Sequence, residues 1–291
     1  MPDVSVPPGV VGLLRITALP DPGWQDRWDR ILLPMTTKAR LLNYMVFSLR
    51  HRARISRVGL PVHGIVVLAG PPGTGKTTLA GGLADQAARA LDGGPLLFVE
   101  VDPHAFPSQL LGESQRTTAR LFERTLPDLA RRGDPMVVLL DEVESLAVRR
   151  TGASLETNPV DVHRATDAVL AGLDHVARDH PNLMFVATTN HRVGVDEAFL
   201  SRADLIEELQ LPNHDAAIAI LRDALAEIVP NDRVVDADLR LVAETCVAVG
   251  LDARQVRKLV LRAVISDRDV ALRPELLSGA DLLAAARDHL A

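Results

Sequence analysis

Apolar residues form short uninterrupted runs through the middle of the chain. These runs lie at residues 65–69, 96–101, 136–140 and 184–189, with a weaker one at 205–211. Unbroken apolar runs are typical of strands that are buried on both faces of a parallel sheet. The segments between them have helical spacing and lie at 77–91, 114–131 and 160–178. Because strands and helices alternate, the pattern predicts a doubly wound α/β domain.

The pattern changes after Leu211-Pro212-Asn213, where the strand-like runs stop. The remaining segments are rich in Ala and Leu at helical spacing and lie near 214–228, 237–248, 252–267 and 279–290. The breaks between them contain residues that commonly end helices, namely Pro230-Asn231, Gly250 and Pro274. The last part of the chain is therefore predicted to be a small all-helical domain.

Prolines punctuate the first residues of the chain, which we expect to hold a short strand at 11–16 but no folded domain. We therefore predict three parts along the sequence. They are an N-terminal extension over residues 1–23, an α/β domain over 24–212 and a helical lid domain over 213–291.

A glycine-rich loop, residues 70–77, joins the first apolar run to the first helical segment. Its sequence, Gly-Pro-Pro-Gly-Thr-Gly-Lys-Thr, matches the P-loop pattern in the strand–loop–helix context that this motif requires. The glycines let backbone amides close around phosphate oxygens, and the N-terminus of the following helix favours an anion. We expect Lys76 to reach the β- and γ-phosphates of ATP. The expected ATP-binding residues of this loop are Pro72, Gly73, Thr74, Gly75, Lys76, Thr77 and Thr78. The alternative is a glycine-rich turn that binds nothing.

Two glycines, Gly81 and Gly82, lie inside the helical segment that follows this loop. Glycine inside a helix costs about 1 kcal/mol relative to alanine. We expect close packing against the sheet at this point.

Two adjacent carboxylates, Asp141 and Glu142, follow the apolar run 136–140. In a P-loop protein the first acid lies beside the magnesium ion, so we expect Thr77 and Asp141 to place Mg²⁺. Glu142 is then expected to polarise a water molecule for attack on the γ-phosphate. A pair of acids indicates hydrolysis rather than phosphoryl transfer to a small acceptor.

Three polar residues farther along the chain are candidates for the same chemistry. Asn190 ends the apolar run 184–189 and is expected to position the attacking water; the alternative is an Asn that terminates a strand. Arg202 is expected to reach the nucleotide of a neighbouring subunit as an arginine finger; the alternative is a surface charge. Arg254 begins a helical segment and is expected to fold the helical lid onto the phosphates.

Composition narrows the classes of function. The net charge of −6 argues against nucleic acid as the main partner, because phosphate backbones favour a basic surface. The single cysteine, Cys246, excludes an intramolecular disulfide and a CxxC zinc site, and we expect it to be a small core residue. No uncharged apolar run reaches the ~18 residues of a membrane span, and no signal-peptide pattern opens the chain. We therefore expect a cytoplasmic protein.

Taken together, these motifs resemble those of AAA+ ATPases with a P-loop α/β domain and a helical lid. More selectively, four stretches are similar to the HORMA-remodelling family, which comprises the pachytene-checkpoint ATPase, its animal thyroid-receptor-interacting counterpart and bacterial relatives. The four stretches are residues 140–146, 158–165, 195–204 and 250–254. The resemblance covers about residues 24–270.

This resemblance implies a homo-hexameric ring in which Arg202 acts in trans. The central pore of the ring would grip a HORMA-domain protein and unfold it with energy from ATP. In bacteria the HORMA protein would belong to a complex with a cyclic-oligonucleotide synthase of antiphage defence. The resemblance also places the pore loop at Leu110 and Leu111, where eukaryotic members carry an aromatic residue. It assigns Ile31 and Leu32 to the base of the adenine pocket.

Three other functions remain open at this point. The chain could be a different AAA+ unfoldase or assembly chaperone with another protein substrate. It could be an ATP-switched scaffold that rarely hydrolyses, although Asp141, Glu142, Asn190 and Arg202 argue against that reading. It could also be a nucleic-acid motor, which the acidic balance disfavours.

Overall fold

The computed structural model describes residues 12–55, 62–91, 94–102, 113–147, 159–228 and 234–288. Within these residues the chain divides into two compact units. The α/β unit contains the described residues up to Gly70 together with those of Lys76–Glu208. The helical unit contains Pro71–Gly75 and the described residues from Leu209 onward.

The α/β unit is built on a six-stranded sheet with the order β1-β3-β4-β5-β2-β6. Its strands are β1 (Leu13–Leu19), β2 (Ile65–Ala69), β3 (Leu96–Val101), β4 (Met136–Leu140), β5 (Leu183–Thr189) and β6 (Leu205–Glu208). Strands β2 to β6 run parallel to one another, which confirms the predicted fold class. Strand β1 adds an antiparallel edge next to β3.

The helices of this unit connect the strands in the alternating order that the sequence indicated. They are α1 (Pro22–Asp29), α2 (Met35–Ile55), α3 (Lys76–Ala90), α4 (Glu113–Arg120), α5 (Leu126–Ala130), α6 (Pro159–Asp179) and α7 (Glu197–Leu200). A π-helical turn, Leu121–Thr125, lies between α4 and α5, and short 3-10 turns occupy Val143–Ser145 and Arg192–Gly194.

Strand residues are buried on both faces of the sheet, as the apolar runs predicted. Val67, Val138 and Phe185 lie in a cluster that includes side chains from α6 and from the π-helical turn. Alternate residues of a strand point to the opposite face. On that face, Phe98 meets the Trp24 ring of α1 edge-on, with the ring centroids 6.2 Å apart. Helices thus cover both faces, as in other doubly wound domains.

The two glycines of α3 make room for tryptophans of α1. A Cβ on Gly81 would lie 2.2 Å from Cη2 of Trp24, and a Cβ on Gly82 would lie 3.0 Å from Cε3 of Trp28. We expected the sheet to pack against these glycines, and this prediction is wrong, because the indole rings of α1 occupy the space.

A buried arginine links α2 to the residues just before β2 and to the connection between α6 and β5. Arg52 has no exposed surface, and its Nη1 donates to the carbonyl of His63 at 3.0 Å. Its Nη2 donates to the carbonyls of His180, at 3.1 Å, and Leu183. Burial lowers the pKa of Arg52 to about 10, so the guanidinium remains charged at neutral pH.

The helical unit consists of α8 (His214–Ile228), α9 (Asp236–Val249), α10 (Ala253–Ser266), α11 (Arg268–Leu272), a 3-10 turn (Pro274–Leu276) and α12 (Gly279–Asp288). Its apolar core includes Leu221, Val242 and Val260. Cys246 is 1% exposed within that core, so the prediction that it is a core residue is confirmed. None of the helices in the described ranges is long and apolar enough to cross a membrane.

Candidate functional site

Three strand ends bring most of the predicted residues of the α/β unit to one edge of the sheet. Strand β5 lies between β2 and β4 and runs parallel to both, so the carboxyl ends of all three strands are neighbours. Gly70, which follows β2, donates its amide to the carbonyl of Thr189 at 3.2 Å. In open α/β sheets, ligands bind at such an edge, outside the carboxyl ends of the strands.

The glycine-rich loop adopts backbone angles that require glycine. Gly73 and Gly75 have φ values of 75° and 85°, in the left-handed region. A Cβ on Gly73 would also lie 2.3 Å from the carboxyl group of Asp252, which belongs to the same helical unit. The Thr74 hydroxyl donates to the carbonyl of Pro71 at 2.9 Å and closes the turn. The two glycines therefore allow a backbone shape that residues with a Cβ would strain, and this shape suits a loop whose amides bind phosphate.

Lys76 begins α3 and is almost fully buried. Its ammonium donates to the carbonyl of Gly70, the residue that opens the loop, at 2.8 Å. The lysine side chain thus points back to the residue after β2, and an ammonium in this position is expected to meet phosphate oxygens. Thr77 and Thr78 follow it in the first turn of α3 and are exposed.

Thr77 and Asp141 are in direct contact, although they are far apart in sequence. The Thr77 hydroxyl donates to both carboxylate oxygens of Asp141, at 3.0 and 3.2 Å. One hydroxyl and one carboxylate are hard oxygen ligands, which Mg²⁺ uses together with water and substrate phosphates. The donor set therefore fits Mg²⁺, with Thr77 and Asp141 as the residues that would hold it.

Glu142 is held in an unusual backbone conformation beside Asn190. Its φ of 50° and ψ of 52° are left-handed, and among the described residues no other non-glycine residue has a positive φ. A non-glycine residue in this region costs of order 1–3 kcal/mol and often marks a functional site. The Asn190 amide nitrogen Nδ2 lies 3.3 Å from Oε1 of Glu142. A carboxylate and a side-chain amide thus converge here, as positioning a water molecule requires.

Sequence reasoning missed a threonine that joins the two acids. The buried hydroxyl of Thr188 donates to Oδ1 of Asp141 and accepts a hydrogen bond from the Glu142 amide at 3.0 Å. Thr188 lies inside an apolar run, two residues before Asn190, and only the pairing of β4 with β5 brings it to Asp141. A polar residue within a buried run was the available signal.

Arg202 is bound within its own unit to Asp174, at the far end of α6. Its Nε and Nη2 each lie 2.8 Å from a carboxylate oxygen of Asp174, and its Nη1 donates to the carbonyl of Ala198 at 2.7 Å. The hydrogen bonds between the two side chains lower the pKa of Asp174 and raise the pKa of Arg202. Arg202 therefore has defined partners within its own unit, and its role toward a neighbouring nucleotide stays a prediction.

The next carboxylate, Asp204, anchors the segment that carries Arg202. It accepts hydrogen bonds from three consecutive amides, those of residues 63–65, at 3.0, 2.6 and 2.9 Å. It also accepts one from the phenol of Tyr44 in α2, at 2.6 Å. Burial, and then this hydrogen bond, raise the pKa of Tyr44. The segment is therefore fixed to the start of β2 and to α2.

The remaining predicted residues fall outside this cluster. Arg254 lies in the first turn of α10 in the helical unit, with its side chain exposed. Ile31 and Leu32 lie between α1 and α2; Ile31 packs toward α3 at Gly82, and Leu32 is 44% exposed. The predicted pore-loop residues, Leu110 and Leu111, lie outside the described residues. The roles of all five stay predictions.

Comparisons with protein families and with individual known proteins all indicate similarity to AAA ATPases. The model of the ATPase family associated with various cellular activities (AAA) matches residues 66–211. The CD-NTase-associated protein 6 of Pseudomonas aeruginosa is 42% identical over 98% of this chain and 93% of that protein. The pachytene checkpoint protein 2 homologue of Homo sapiens is 30% identical over 90% of this chain.

The chain spans only 60% of the length of that human relative. Among solved structures, a chain in the structure of the E. coli MS115-1 HORMA:CdnC:Trip13 complex superposes with a TM-score of 0.78. That superposition covers 95% of each chain at 20% identity, which supports the fold.

Proposed function

The chain belongs to the AAA family of ATPases, and on that premise we propose that it hydrolyses ATP to disassemble a complex of a HORMA-domain protein. The observation that carries the hydrolysis is the convergence of Thr77 with Asp141 and of Asn190 with Glu142 at one sheet edge. A scaffold that only binds ATP would not need a carboxylate and an amide at water-positioning distance.

Each side chain has a defined part in this proposal. Lys76 binds the β- and γ-phosphates, and Thr77 and Asp141 hold Mg²⁺. When bound, the ion neutralises charge on the phosphate oxygens. Glu142 accepts a proton from the attacking water, and Asn190 holds that water in line.

The ring supplies the remaining groups. We propose a homo-hexamer, in which Arg202 of one subunit stabilises charge on the γ-phosphate bound by the next. Arg254 couples the helical lid, residues 213–291, to the nucleotide. Leu110 and Leu111 push on the protein substrate. Ile31 and Leu32 contact the adenine.

The substrate class rests on the relatives. One relative is named for its association with a CD-NTase, and one solved structure holds a HORMA protein and CdnC together with Trip13. By analogy, the substrate would be a HORMA protein bound to a cyclic-oligonucleotide synthase in the cytoplasm. Disassembly of that complex would restrain the synthase.

ATP turnover, measured with and without a purified HORMA–synthase complex, tests the proposal. Wild type should hydrolyse ATP and release the HORMA protein. Glu142→Gln should bind ATP but lose turnover by about 10²-fold or more, because the proton acceptor is gone. Glu244→Gln, at an exposed glutamate of α9, serves as a control that should match wild type.

The two halves of the proposal fail separately. Turnover by wild type without release of the HORMA protein would remove the proposed substrate and leave the ATPase. Absence of turnover under both conditions would reject the ATPase itself.

A further inference from the structure

Glu144 ties the loop of Glu142 to the loop of Asn190. It lies in the 3-10 turn Val143–Ser145, directly after Glu142. Its Oε1 accepts a hydrogen bond from the backbone amide of Asn190 at 3.0 Å. One carboxylate therefore joins the end of β4 to the end of β5, at the residues that face the attacking water in the proposed reaction.

The turn that carries Glu144 is itself fixed to Glu142. The amide and the hydroxyl of Ser145 both donate to the carbonyl of Glu142, at 2.9 and 2.8 Å. These bonds hold Glu142 in its left-handed conformation and fix Glu144 relative to it. The backbone of the turn therefore holds the two glutamates at a fixed spacing.

The direct contact between Glu142 and Asn190 is weaker than this backbone link. Their side chains are 3.3 Å apart, beyond the usual N–H···O range of 2.7–3.2 Å. The bond from the Asn190 backbone amide to Oε1 of Glu144 is shorter, at 3.0 Å, and falls within that range. The bond to Glu144 thus adds to the pairing of β4 with β5 in holding Asn190 beside Glu142.

The second carboxylate oxygen of Glu144, Oε2, takes no part in the contact with Asn190. Oε2 is buried and has no hydrogen-bond partner in the part of the chain that the structure describes. A buried carboxylate oxygen without a partner is unfavourable, so Oε2 adds nothing to the contact with Asn190. That contact depends on the reach and direction of Oε1.

We propose that Glu144 is a positioning residue that sets the distance between Glu142 and Asn190, an inference that rests on the proposed ATP hydrolysis. Two variants of Glu144 test separately whether the length of its side chain or its negative charge matters for this role. Glu144→Gln keeps the length of the side chain and an acceptor at Oε1 but loses the charge. Glu144→Asp keeps the charge but is one methylene too short to reach the Asn190 amide.

Turnover and ATP affinity of these two variants test the proposal. Glu144→Gln should retain kcat within about threefold of wild type, whereas Glu144→Asp should lose about tenfold or more, because misplacement by about 1 Å can cost 10²-fold. The dissociation constant of a fluorescent ATP analogue should stay unchanged in both. Glu244→Asp, on the exposed face of α9, is the matched control.

Hydrogen–deuterium exchange at the Asn190 amide gives a readout that is independent of turnover. Exchange should stay slow in wild type and Glu144→Gln and become faster in Glu144→Asp. If wild type itself has no turnover, the ATPase proposal fails, and the exchange rates still decide the role of Glu144. Equal exchange and equal kcat in the two variants would overturn the proposal, as would a parallel loss of ATP affinity.

Discussion

Arg202 and Asp174 form a two-pronged ion pair, in which Nε and Nη2 of the guanidinium each lie 2.8 Å from a carboxylate oxygen. Nη1 bonds to the Ala198 carbonyl. A guanidinium has five N–H donors, so these three bonds leave two on the terminal nitrogens. Arg202 can therefore keep Asp174 and donate to a phosphate at the same time. An arginine finger held in this way is oriented before a neighbour arrives.

Mixing two inactive variants tests whether Arg202 acts in trans. Lys76→Ala should lose ATP binding, and Arg202→Ala should bind ATP but lose about 10³-fold in kcat. In a mixed ring, some sites combine an intact P-loop from the Arg202→Ala subunit with an intact Arg202 from the Lys76→Ala subunit. Such mixtures should recover measurable ATPase activity, and a double variant mixed with wild type in equal parts provides the control. No recovery at any ratio would contradict action in trans.

The packing of α3 on α1 predicts that alanine lowers the stability of the protein at Gly81 but hardly changes it at Gly82. Gly81→Ala forces a Cβ into the Trp24 ring, so overpacking of about 1–3 kcal/mol should exceed the ~1 kcal/mol gained in helix propensity. Gly82→Ala meets Trp28 at 3.0 Å, where a small shift of the ring suffices, and should be nearly neutral. Urea unfolding followed by tryptophan fluorescence measures both, since the only two tryptophans lie in α1. Equal stability of the two variants would contradict this packing.

Cys246 should be unreactive in the folded protein. Burial raises the pKa of its thiol to about 11, so the reactive thiolate is scarce at pH 8. We expect labelling by a maleimide to be about 10²-fold slower than in denaturant. The double variant Cys246→Ser and Val247→Cys moves the thiol one position, to a residue that is 42% exposed, and should react rapidly. Fast labelling of native Cys246 would show that the helical core opens readily.

Arg52 should resist replacement even by lysine. Its guanidinium reaches three carbonyl groups in a site without solvent, and a single ammonium cannot match that fork. Arg52→Lys should therefore lower the free energy of unfolding of the α/β unit by about 2–3 kcal/mol, as expected for broken buried hydrogen bonds to a charge. Arg50→Lys, at an exposed position of the same helix, should change it by less than about 0.5 kcal/mol. Tryptophan fluorescence during urea titration reports the difference.

The convergence of three candidate residues at one edge of the sheet was predictable from the sequence, and their roles in phosphate chemistry stay predictions. Lys76, Asp141 and Asn190 each follow a buried strand, and parallel strands bring their ends together. The fold class followed from the same apolar runs. The partners of Asp141 and Arg202 were not predictable, because Thr188 meets Asp141 only through strand order and Asp174 meets Arg202 only through the packing of α6.

The packing partners of the two glycines of α3 also could not be predicted from the sequence. The sequence shows that a Cβ is missing at Gly81, but it does not show which side chain fills the space. Trp24 lies more than 50 residues earlier in the chain, and only the fold brings the two together. The antiparallel direction of β1 also could not be predicted, because a short apolar run does not indicate whether a strand is parallel or antiparallel to its neighbour.

The four hydrogen bonds on Asp204 have a consequence for genetics. They connect the segment of Arg202 to Tyr44 in the middle of α2 and to residues 63–65, which lead into β2. A screen for loss-of-function alleles should therefore collect substitutions at Tyr44 alongside those in the P-loop. If Arg202 acts in trans as proposed, such alleles would produce protein that still binds ATP, and their defect would appear in the activity of the assembled ring.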